Sequence, residues 1–357
     1  MKVFGKRHVK ITLWYVLFWL AAVYFLIVIR YLGHSSLVSN PIDALIPIDV
    51  FLFFKMGLFG AIIIGVCFGF LEILFDNRVF RNMSYGKLIL TKSIIYVFIF
   101  VLIMAFLSIR NQQLIIGQFD FQKWKDAFFQ PNILVPVSYL AVASLLLNFI
   151  KEVSLKFGQG NLWKMLIGTF HRPKEEDRIM MFLDLQSSTT IAEKLGHIRY
   201  SELIQDCFMD LSVVINQEAK IYQYVGDEAV LSWSLKQGLR DGNCIKAFYA
   251  FKDVLGQRAQ HYMDNYGLVP IFKAGLNMGK VTVAEVGLIK KEIAFHGDTV
   301  NTAARIQGKC NALNSELLIS EVLAEQLPAF KDFKTGDRHK VSLKGKKEDV
   351  NIYSILR

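Results

Sequence analysis

Four long apolar segments in the first 150 residues most strongly limit how this 357-residue chain can fold. They cover residues 11–32, 50–74, 88–109 and 132–150. Each is close to the ~20 residues that an α-helix needs to cross the hydrocarbon core of a bilayer. We predict four membrane-spanning helices, because packed core helices of a soluble protein would show more polar faces. A cleaved signal peptide is not expected, since the first segment is too long and no small-residue cleavage site follows it.

Basic residues near the segment ends predict that both termini face the cytoplasm. Lys and Arg are frequent before the first segment and after the second and fourth, whereas residues 33–49 contain neither. This pattern accounts for much of the net charge of +10 and predicts contact with a lipid bilayer, with no reason to expect nucleic-acid binding. Glu72 and Lys92 lie toward segment ends and few other ionisable residues lie within the segments, which argues against transport.

The apolar residues divide the chain into three parts. We predict a transmembrane domain at residues 1–151, a linker or coupling segment at 152–177 with a short helix at 162–170, and a globular domain at 178–357. The cysteines show no metal-ligand spacing and are expected to be reduced, structural thiols; they are Cys67, Cys207, Cys244 and Cys310.

The globular half alternates short apolar runs with helical periodicity, which predicts an α/β or α+β domain. Strands are predicted at 179–185, 221–225, 229–233, 270–276 and 280–286, and near residues 317, 341 and 352. Helices are predicted around 203–214, 241–265 and 299–308. Gly226 between the second and third strands indicates a tight hairpin.

Two aspartates lie where strands end. Asp184 closes the first strand in FLDLQSS, and Asp227 lies in the hairpin turn of YQYVGDEAV. A carboxylate among apolar neighbours needs a cation or a hydrogen-bonding partner, and paired carboxylates suit Mg²⁺. Capping and turn chemistry would explain the same residues, so both interpretations stay open here.

Two further patterns suit a phosphorylated ligand. In GDTVNTAARIQ, Asn301 and Arg305 share one helix face, where an amide and a planar guanidinium fit a ribose or a phosphoryl group. In SLKGKKED, Lys344 precedes a glycine in a basic turn that suits a phosphate. Taken singly, each pattern is more often a solvated helix face or an ordinary charged turn.

Together and in this order, the four elements resemble the catalytic domain of class III adenylate and guanylate cyclases, over about residues 177–355. Residues 297–305 match that family's helix pattern G-[DN]-T-V-N-x-A-[AS]-R throughout. The resemblance implies a ferredoxin-like, palm-type α/β domain and an enzyme that converts ATP to 3',5'-cyclic AMP and pyrophosphate. Two Mg²⁺ or Mn²⁺ ions would neutralise the charge that grows as the ribose 3'-hydroxyl attacks the α-phosphorus.

The resemblance also implies a role for each site residue. Asp184, Leu185 and Asp227 form the implied metal-binding set. Asn301 and Arg305 are the implied catalytic residues, and the implied substrate-binding residues are Lys344, Gln223 and Ala294. In this family the aspartates and the Asn, Arg and Lys come from different domains, so a single copy per chain implies a homodimer.

Base recognition departs from the family pattern. Gln223 and Ala294 replace the residues that usually select the purine, so GTP stays open beside ATP. A nucleotide-binding module without activity is a second alternative. A diguanylate cyclase is a third, because VGDEAV partly resembles the GGDEF signature, although that interpretation gives Asn301 and Arg305 no role. The membrane part could serve as an anchor, a dimerising element or a sensor, and the sequence does not choose among these roles.

Overall fold

The computed structural model describes residues 2–37, 50–75, 83–129, 134–158, 161–328, 333–342 and 349–357. The chain divides into two compact units, Met1–Lys156 and Phe157–Arg357. Lys344 lies outside the described residues, so its predicted role has no structural counterpart here.

The first unit is helical. Its long helices are α1 (Lys2–Leu37), α2 (Val50–Phe75), α3 (Tyr85–Ile116) and α5 (Leu134–Phe157). All four are long and apolar enough to cross a membrane, which confirms the four predicted apolar helices. The unpredicted helix α4 (Phe121–Phe128) lies between α3 and α5, and its N-cap Asp120 accepts a hydrogen bond from the backbone N–H of Lys123.

Glycines on α2 allow it to pack tightly against α1. A β-carbon at Gly65 would lie 2.5 Å from the Cα atom of Val16, and one at Gly69 would lie 2.7 Å from the Cα atom of Thr12. Small residues at a helix contact let backbones approach closely, which matters in lipid because hydrophobicity does not drive helices together there. Larger residues at Gly65 or Gly69 would separate the two helices.

A buried ionic cluster connects the four long helices. The Glu72 carboxylate of α2 accepts hydrogen bonds from the Tyr15 hydroxyl at 2.7 Å and the Tyr96 hydroxyl at 3.0 Å. Lys92 lies 2.9 Å from Glu72 and 3.4 Å from Glu152, and Lys151 also contacts Glu72. The sequence places Glu72 and Lys92 near segment ends, but the structure buries both and pairs them. We name this the Glu72 cluster; its members are Tyr15, Glu72, Lys92, Tyr96, Lys151 and Glu152.

The second unit contains an eight-stranded sheet with the order β2-β3-β1-β4-β6-β8-β7, in which β5 also pairs with β4. Only the β4–β6 pair is parallel among these described strands. The two strands predicted around Met278 and Gly279 are one strand, and β5 was not predicted. The strands are β1 (Lys174–Leu185), β2 (Lys220–Val225), β3 (Glu228–Ser234), β4 (Phe272–Val286), β5 (Glu292–His296), β6 (Leu317–Ser320), β7 (Lys334–Val341) and β8 (Val350–Leu356).

The helices of this unit differ in length from the predicted ones. The helix predicted at 241–265 is interrupted at Arg258, whose backbone leaves the helical region with φ −102° and ψ 15°. The short helix predicted at 162–170 ends at Leu166. The helices are α6 (Asn161–Leu166), α7 (Ser188–Asp210), α8 (Leu235–Leu239), α9 (Asn243–Gln257), α10 (Ala259–Tyr266), α11 (Asp298–Gln307) and α12 (Glu321–Gln326).

Strand β1 is buried on both faces, which explains its continuous apolar run. Alternate side chains from Ile179 to Leu185 enter a layer shared with α7, α9 and α10. Met180 and Phe182 enter the opposite layer, together with Ala303 of α11. Because strand side chains alternate, Asp184 lies on the face that α11 covers.

Candidate active site

The sheet brings Asp184 and Asp227 together. Strand β1 pairs with β3 so that Leu183 lies opposite Ala229, two residues after Asp227. Gly226 adopts φ 64° and makes the tight β2–β3 turn that carries Asp227. Burial, followed by the negative charge of Asp227, raises the pKa of Asp184 above its ordinary value. The two carboxylates predicted as a pair are therefore close neighbours.

Glu228 is a third carboxyl group beside this pair, and it was not predicted from the sequence. Burial and the charges of Asp184 and Asp227 raise the pKa of Glu228 to about 7. Within the described part of the chain, however, no group of three His, Cys, Asp or Glu side chains is placed to hold a metal ion. The Asp184–Asp227 pair thus remains the carboxylate set that fits a divalent cation.

This pair suits Mg²⁺ or Mn²⁺ by its chemistry. Mg²⁺ is commonly held by one or two carboxylates, with water and substrate phosphates completing its coordination. The charge of Asp227 disfavours ionisation of Asp184, and a bound cation would relieve that repulsion. The Leu185 side chain is buried in the core, so only its backbone carbonyl oxygen is a candidate ligand.

The start of α11 is fixed against β4 by hydrogen bonds. The Thr299 hydroxyl donates to the carbonyl oxygen of Lys280 at 2.7 Å, and the Asn277 amide donates to the carbonyl oxygen of Thr299 at 3.1 Å. A β-carbon at Gly279 would lie 2.7 Å from the Thr299 hydroxyl oxygen. Glycine at this position therefore lets α11 approach the strand.

The outer side of α11 carries the predicted catalytic residues. Asn301 is exposed and Arg305 is half-buried, while Ala303 packs against the sheet. Among the hydrogen bonds and ion pairs of the described residues, neither Asn301 nor Arg305 contacts Asp184 or Asp227. Within one chain, the described hydrogen bonds and ion pairs therefore do not link these two residues to the carboxylate pair.

The end of α11 lies against β4 and reaches Asp184. A β-carbon at Gly275 would lie 2.1 Å from the backbone nitrogen of Gln307. The Gln307 side-chain amide donates a hydrogen bond to Oδ2 of Asp184 at 3.3 Å. Gln307 was not predicted from the sequence, because its contact with Asp184 depends on how α11 packs on the sheet.

Lys273 is a buried cation on the same face of the sheet. It lies opposite Asp184 in the β1–β4 register and is 7% exposed. Its ammonium group donates to Oδ1 of Asn311 at 2.9 Å. Sequence reasoning missed this residue too, because nothing local marks the register between β1 and β4.

The residues predicted for base recognition lie on strands that contact each other. Gln223 is exposed on β2, and Ala294 is half-buried on β5. Their chain neighbours meet: the Phe295 N–H donates to the Tyr222 hydroxyl at 3.0 Å, and the two rings stack with centroids 4.4 Å apart. The fold therefore places the two predicted positions in one region.

The N-terminus of α7 follows Asp184 after a short turn. Leu185 and Gln186 lead to Ser187, which adopts a left-handed backbone with φ 58°, and the helix begins at Ser188. The first N–H groups of a helix have no partner within the helix and carry partial positive charge. The N-terminus of α7, close to Asp184 in the chain, is thus suited to bind an anionic group such as a phosphate.

This α/β fold, with paired carboxylates beside a helix that presents an Asn and an Arg, defines a nucleotide cyclase domain. A sequence model of the adenylate and guanylate cyclase catalytic domain matches residues 171–357, about half of the chain. The chain belongs to this family.

Several relatives share this domain. Adenylate cyclase 2 of Rhizobium meliloti (strain 1021) is 33% identical over 220 residues, covering 61% of this chain and 60% of the relative. Adenylate cyclase of Anabaena cylindrica is 25% identical over 188 residues, covering 49% of this chain and 36% of the relative. The chain thus spans less than two thirds of the length of either protein.

A solved structure shares the fold. The structure of a bacterial light-regulated adenylyl cyclase matches with a TM-score of 0.52 and 19% sequence identity, over 63% of this chain and 65% of that one. At this identity the similarity concerns the fold alone.

Proposed function

We propose that this chain is a membrane-anchored adenylate cyclase that converts ATP to 3',5'-cyclic AMP and pyrophosphate. The observation that carries the proposal is the close pair Asp184 and Asp227 in the same domain as a helix that presents Asn301 and Arg305. The names of the two relatives favour ATP as the substrate.

Asp184, Asp227 and the backbone carbonyl of Leu185 would hold two divalent ions, Mg²⁺ or Mn²⁺. When bound, such ions lower the pKa of the attacking ribose hydroxyl and neutralise charge on the phosphates. The chain's own contribution is to hold the Asp184 carboxylate near the end of β1 beside the Asp227 carboxylate in the β2–β3 turn.

The remaining groups act on the nucleotide. The Asn301 amide would orient the ribose, and the planar guanidinium of Arg305 would stabilise the charge that develops on the α-phosphoryl group. Lys344 would hold the β and γ phosphates; this role rests on the sequence pattern alone, since Lys344 lies outside the described residues.

A homodimer would complete the site. Asn301 and Arg305 lie on the outer side of α11, and the described residues include no hydrogen bond or ion pair from either to the aspartates of the same chain, which agrees with their being supplied to the carboxylate pair of a second chain. Each chain carries both halves, and a symmetric pair would therefore form two composite sites.

Gln223 and Ala294 would lie beside the purine. The Gln223 amide both donates and accepts hydrogen bonds, and alanine has no polar side chain. These residues impose no strict choice between purines, which makes guanylate cyclase the second candidate function.

The four long helices would anchor the enzyme, with both termini and the catalytic domain in the cytoplasm. Basic residues lie at the helix ends that are predicted to face the cytoplasm, which agrees with the positive-inside rule. Among the described residues these are Lys87 near the start of α3, and Lys151 and Lys156 near the end of α5. We propose a membrane domain at residues 1–151, a coupling segment at 152–177 and the catalytic domain at 178–357.

Activity of the purified 357-residue chain tests the proposal. ATP and GTP are supplied separately, with Mg²⁺ and with Mn²⁺. We expect cyclic AMP from ATP, loss of product in Asp227→Asn, and normal activity in Asp264→Asn, an exposed aspartate on α10. Cyclic GMP from GTP alone would indicate a guanylate cyclase, and no product from either nucleotide would indicate a nucleotide-binding module.

Co-expression of two inactive chains tests the shared site. Asp227→Asn removes a metal carboxylate, and Asn301→Ala removes a group that acts from α11. Each variant alone is expected to be inactive, whereas mixed dimers regain activity at the one site that receives two intact halves. Persistent inactivity of the mixture, with both chains folded and paired, contradicts the composite site.

A further inference from the structure

Gln307 links the catalytic helix to a metal-binding carboxylate of the same chain. It is the last residue of α11, and its amide Nε2 lies 3.3 Å from Oδ2 of Asp184. Asp184 lies on the face of β1 that α11 covers, so the contact follows from the layering of the domain. This hydrogen bond crosses 123 residues of sequence.

The backbone around Gln307 is held tightly. Gly275 of β4 leaves room for it, since a β-carbon there would lie 2.1 Å from the Gln307 nitrogen and 2.6 Å from its Cα atom. Gly275 pairs with Phe182 of β1, two residues before Asp184. The side chain therefore starts from a fixed point close to the carboxylate that it contacts.

An amide is a suitable group for this contact. It donates a hydrogen bond, which favours the ionised carboxylate, yet it carries no charge that would replace a cation. The nearby ammonium group of Lys273 donates instead to Asn311. Oδ2 of Asp184 is thus engaged by a neutral donor from the same chain.

We propose that Gln307 is a positioning residue that holds the Asp184 carboxylate in its metal-binding orientation. The inference rests on the proposed function above. Because Asn301 and Arg305 lie on the same helix and would serve the partner's site, α11 would connect the two composite sites of the dimer. Gln307 would act on its own chain's site and the other two residues on the partner's.

Metal-dependent thermal stabilisation of the 357-residue chain measures this role without turnover. The protein is held with an ATP analogue that lacks the 3'-hydroxyl, and Mn²⁺ is titrated. We expect Gln307→Met to raise the Mn²⁺ concentration at half-maximal stabilisation about 10-fold, because residues that hydrogen-bond metal ligands commonly contribute 10- to 100-fold to affinity. The matched control is Gln257→Met, an exposed glutamine that also ends a helix, which should match the wild type.

Mixed dimers then assign the effect to one chain. Gln307→Met is placed either in the Asn301→Ala chain, which supplies the intact carboxylates, or in the Asp227→Asn chain, which supplies the intact α11. We expect a higher Mn²⁺ requirement for cyclic AMP formation only in the first case. An equal effect in both arrangements would mean that the substitution disturbs α11 itself, and it would overturn the positioning role.

The outcomes separate the two proposals. If Mn²⁺ stabilises the wild type and Gln307→Met needs the same Mn²⁺ concentration for half-maximal stabilisation, the role of Gln307 is overturned and the proposed function stands. A wild-type chain with neither Mn²⁺-dependent stabilisation nor activity overturns both. If Gln307→Met does not fold, Gln307→Ala removes the donor without adding bulk. The Mn²⁺ concentration at its half-maximal stabilisation then tests the role of Gln307.

Discussion

The carboxylate of Glu72 on α2 lies 2.9 Å from the ammonium group of Lys92 on α3, with the two residues 0% and 2% exposed. Burying such charges is costly unless each is paired and hydrogen-bonded. The Tyr15 and Tyr96 hydroxyls complete the shell around Glu72. The Glu72 cluster thereby ties together the four helices that would anchor the protein.

Removal of Lys92 should destabilise the helical unit. In Lys92→Met, Glu72 and Glu152 lose a shared cation while staying buried, and breaking a buried pair costs about 3–5 kcal/mol. Unfolding of the detergent-solubilised chain measures the loss. Lys87→Met, at an exposed lysine near the start of α3, is the control and should leave stability unchanged. Equal stability of the two variants would contradict a stabilising cluster.

Gly275→Ala should weaken the packing of α11 on β4. The new β-carbon meets backbone atoms of Gln307 and the Ala303 carbonyl oxygen, which cannot move as a flexible side chain does. We expect a loss of about 1–3 kcal/mol in the free energy of unfolding, the usual cost of overpacking, together with reduced cyclase activity.

Gly256→Ala is the matched control for this change. Gly256 is exposed on α9, and a β-carbon there would meet nothing within 4 Å. Alanine in a helix interior is more stable than glycine by about 0.5–1 kcal/mol, and Gly256 lies in the last turn of α9, so the gain should be at the low end of that range or below it. The free energy of unfolding by denaturant should therefore fall in Gly275→Ala and rise in Gly256→Ala. Similar shifts in the two variants would exclude a close contact at Gly275.

Local patterns, once combined into a family resemblance, predicted part of the candidate site. Asp184 and Asp227 mark strand ends within short stretches of sequence, and Asn301 and Arg305 lie four residues apart on one helix. These signals depend on the chain within about one helical turn or one hairpin. For the same reason the strands and helices that carry these residues were predicted.

Features set by distant residues could not be predicted. Met278 and Gly279 suggest a turn, whereas β4 continues through them because Gly279 accommodates Thr299. The contact of Gln307 with Asp184 and the pairing of Glu72 with Lys92 depend on strand register and helix packing. Neither property is encoded by the periodicity of a single segment.

Three buried thiols should make the stability of the catalytic unit fall in alkali. Burial raises the pKa of Cys207, Cys244 and Cys310 to about 12, from an ordinary value of 9.0. Their contribution is fully present below about pH 9 and is lost as pH rises toward about 12, because the unfolded thiols ionise first. The slope approaches about 1.4 kcal/mol per pH unit for each thiol.

Denaturant unfolding near pH 8 and near pH 10, together with thiol alkylation, checks this expectation. The measurement uses a Cys67→Ser background, since Cys67 lies in the helical unit and is partly exposed. Native protein should resist alkylation near pH 8 and react only after unfolding. Rapid reaction of all three thiols in folded protein would show that they are accessible.

Arg305 should contribute to turnover far more than to substrate binding. Its guanidinium is half-buried on the outer side of α11, where it would meet charge that develops only as the α-phosphoryl group reacts. We expect Arg305→Ala to lower kcat by about 10²–10³ with little change in KM, by analogy with the loss of one oxyanion donor. Arg305→Lys should recover little, because an ammonium group cannot reproduce the planar fork.

Arg338→Ala, at an exposed arginine on β7, serves as the control. Steady-state kinetics with ATP separate the two parameters: a rise in KM at unchanged kcat would assign Arg305 to substrate binding instead.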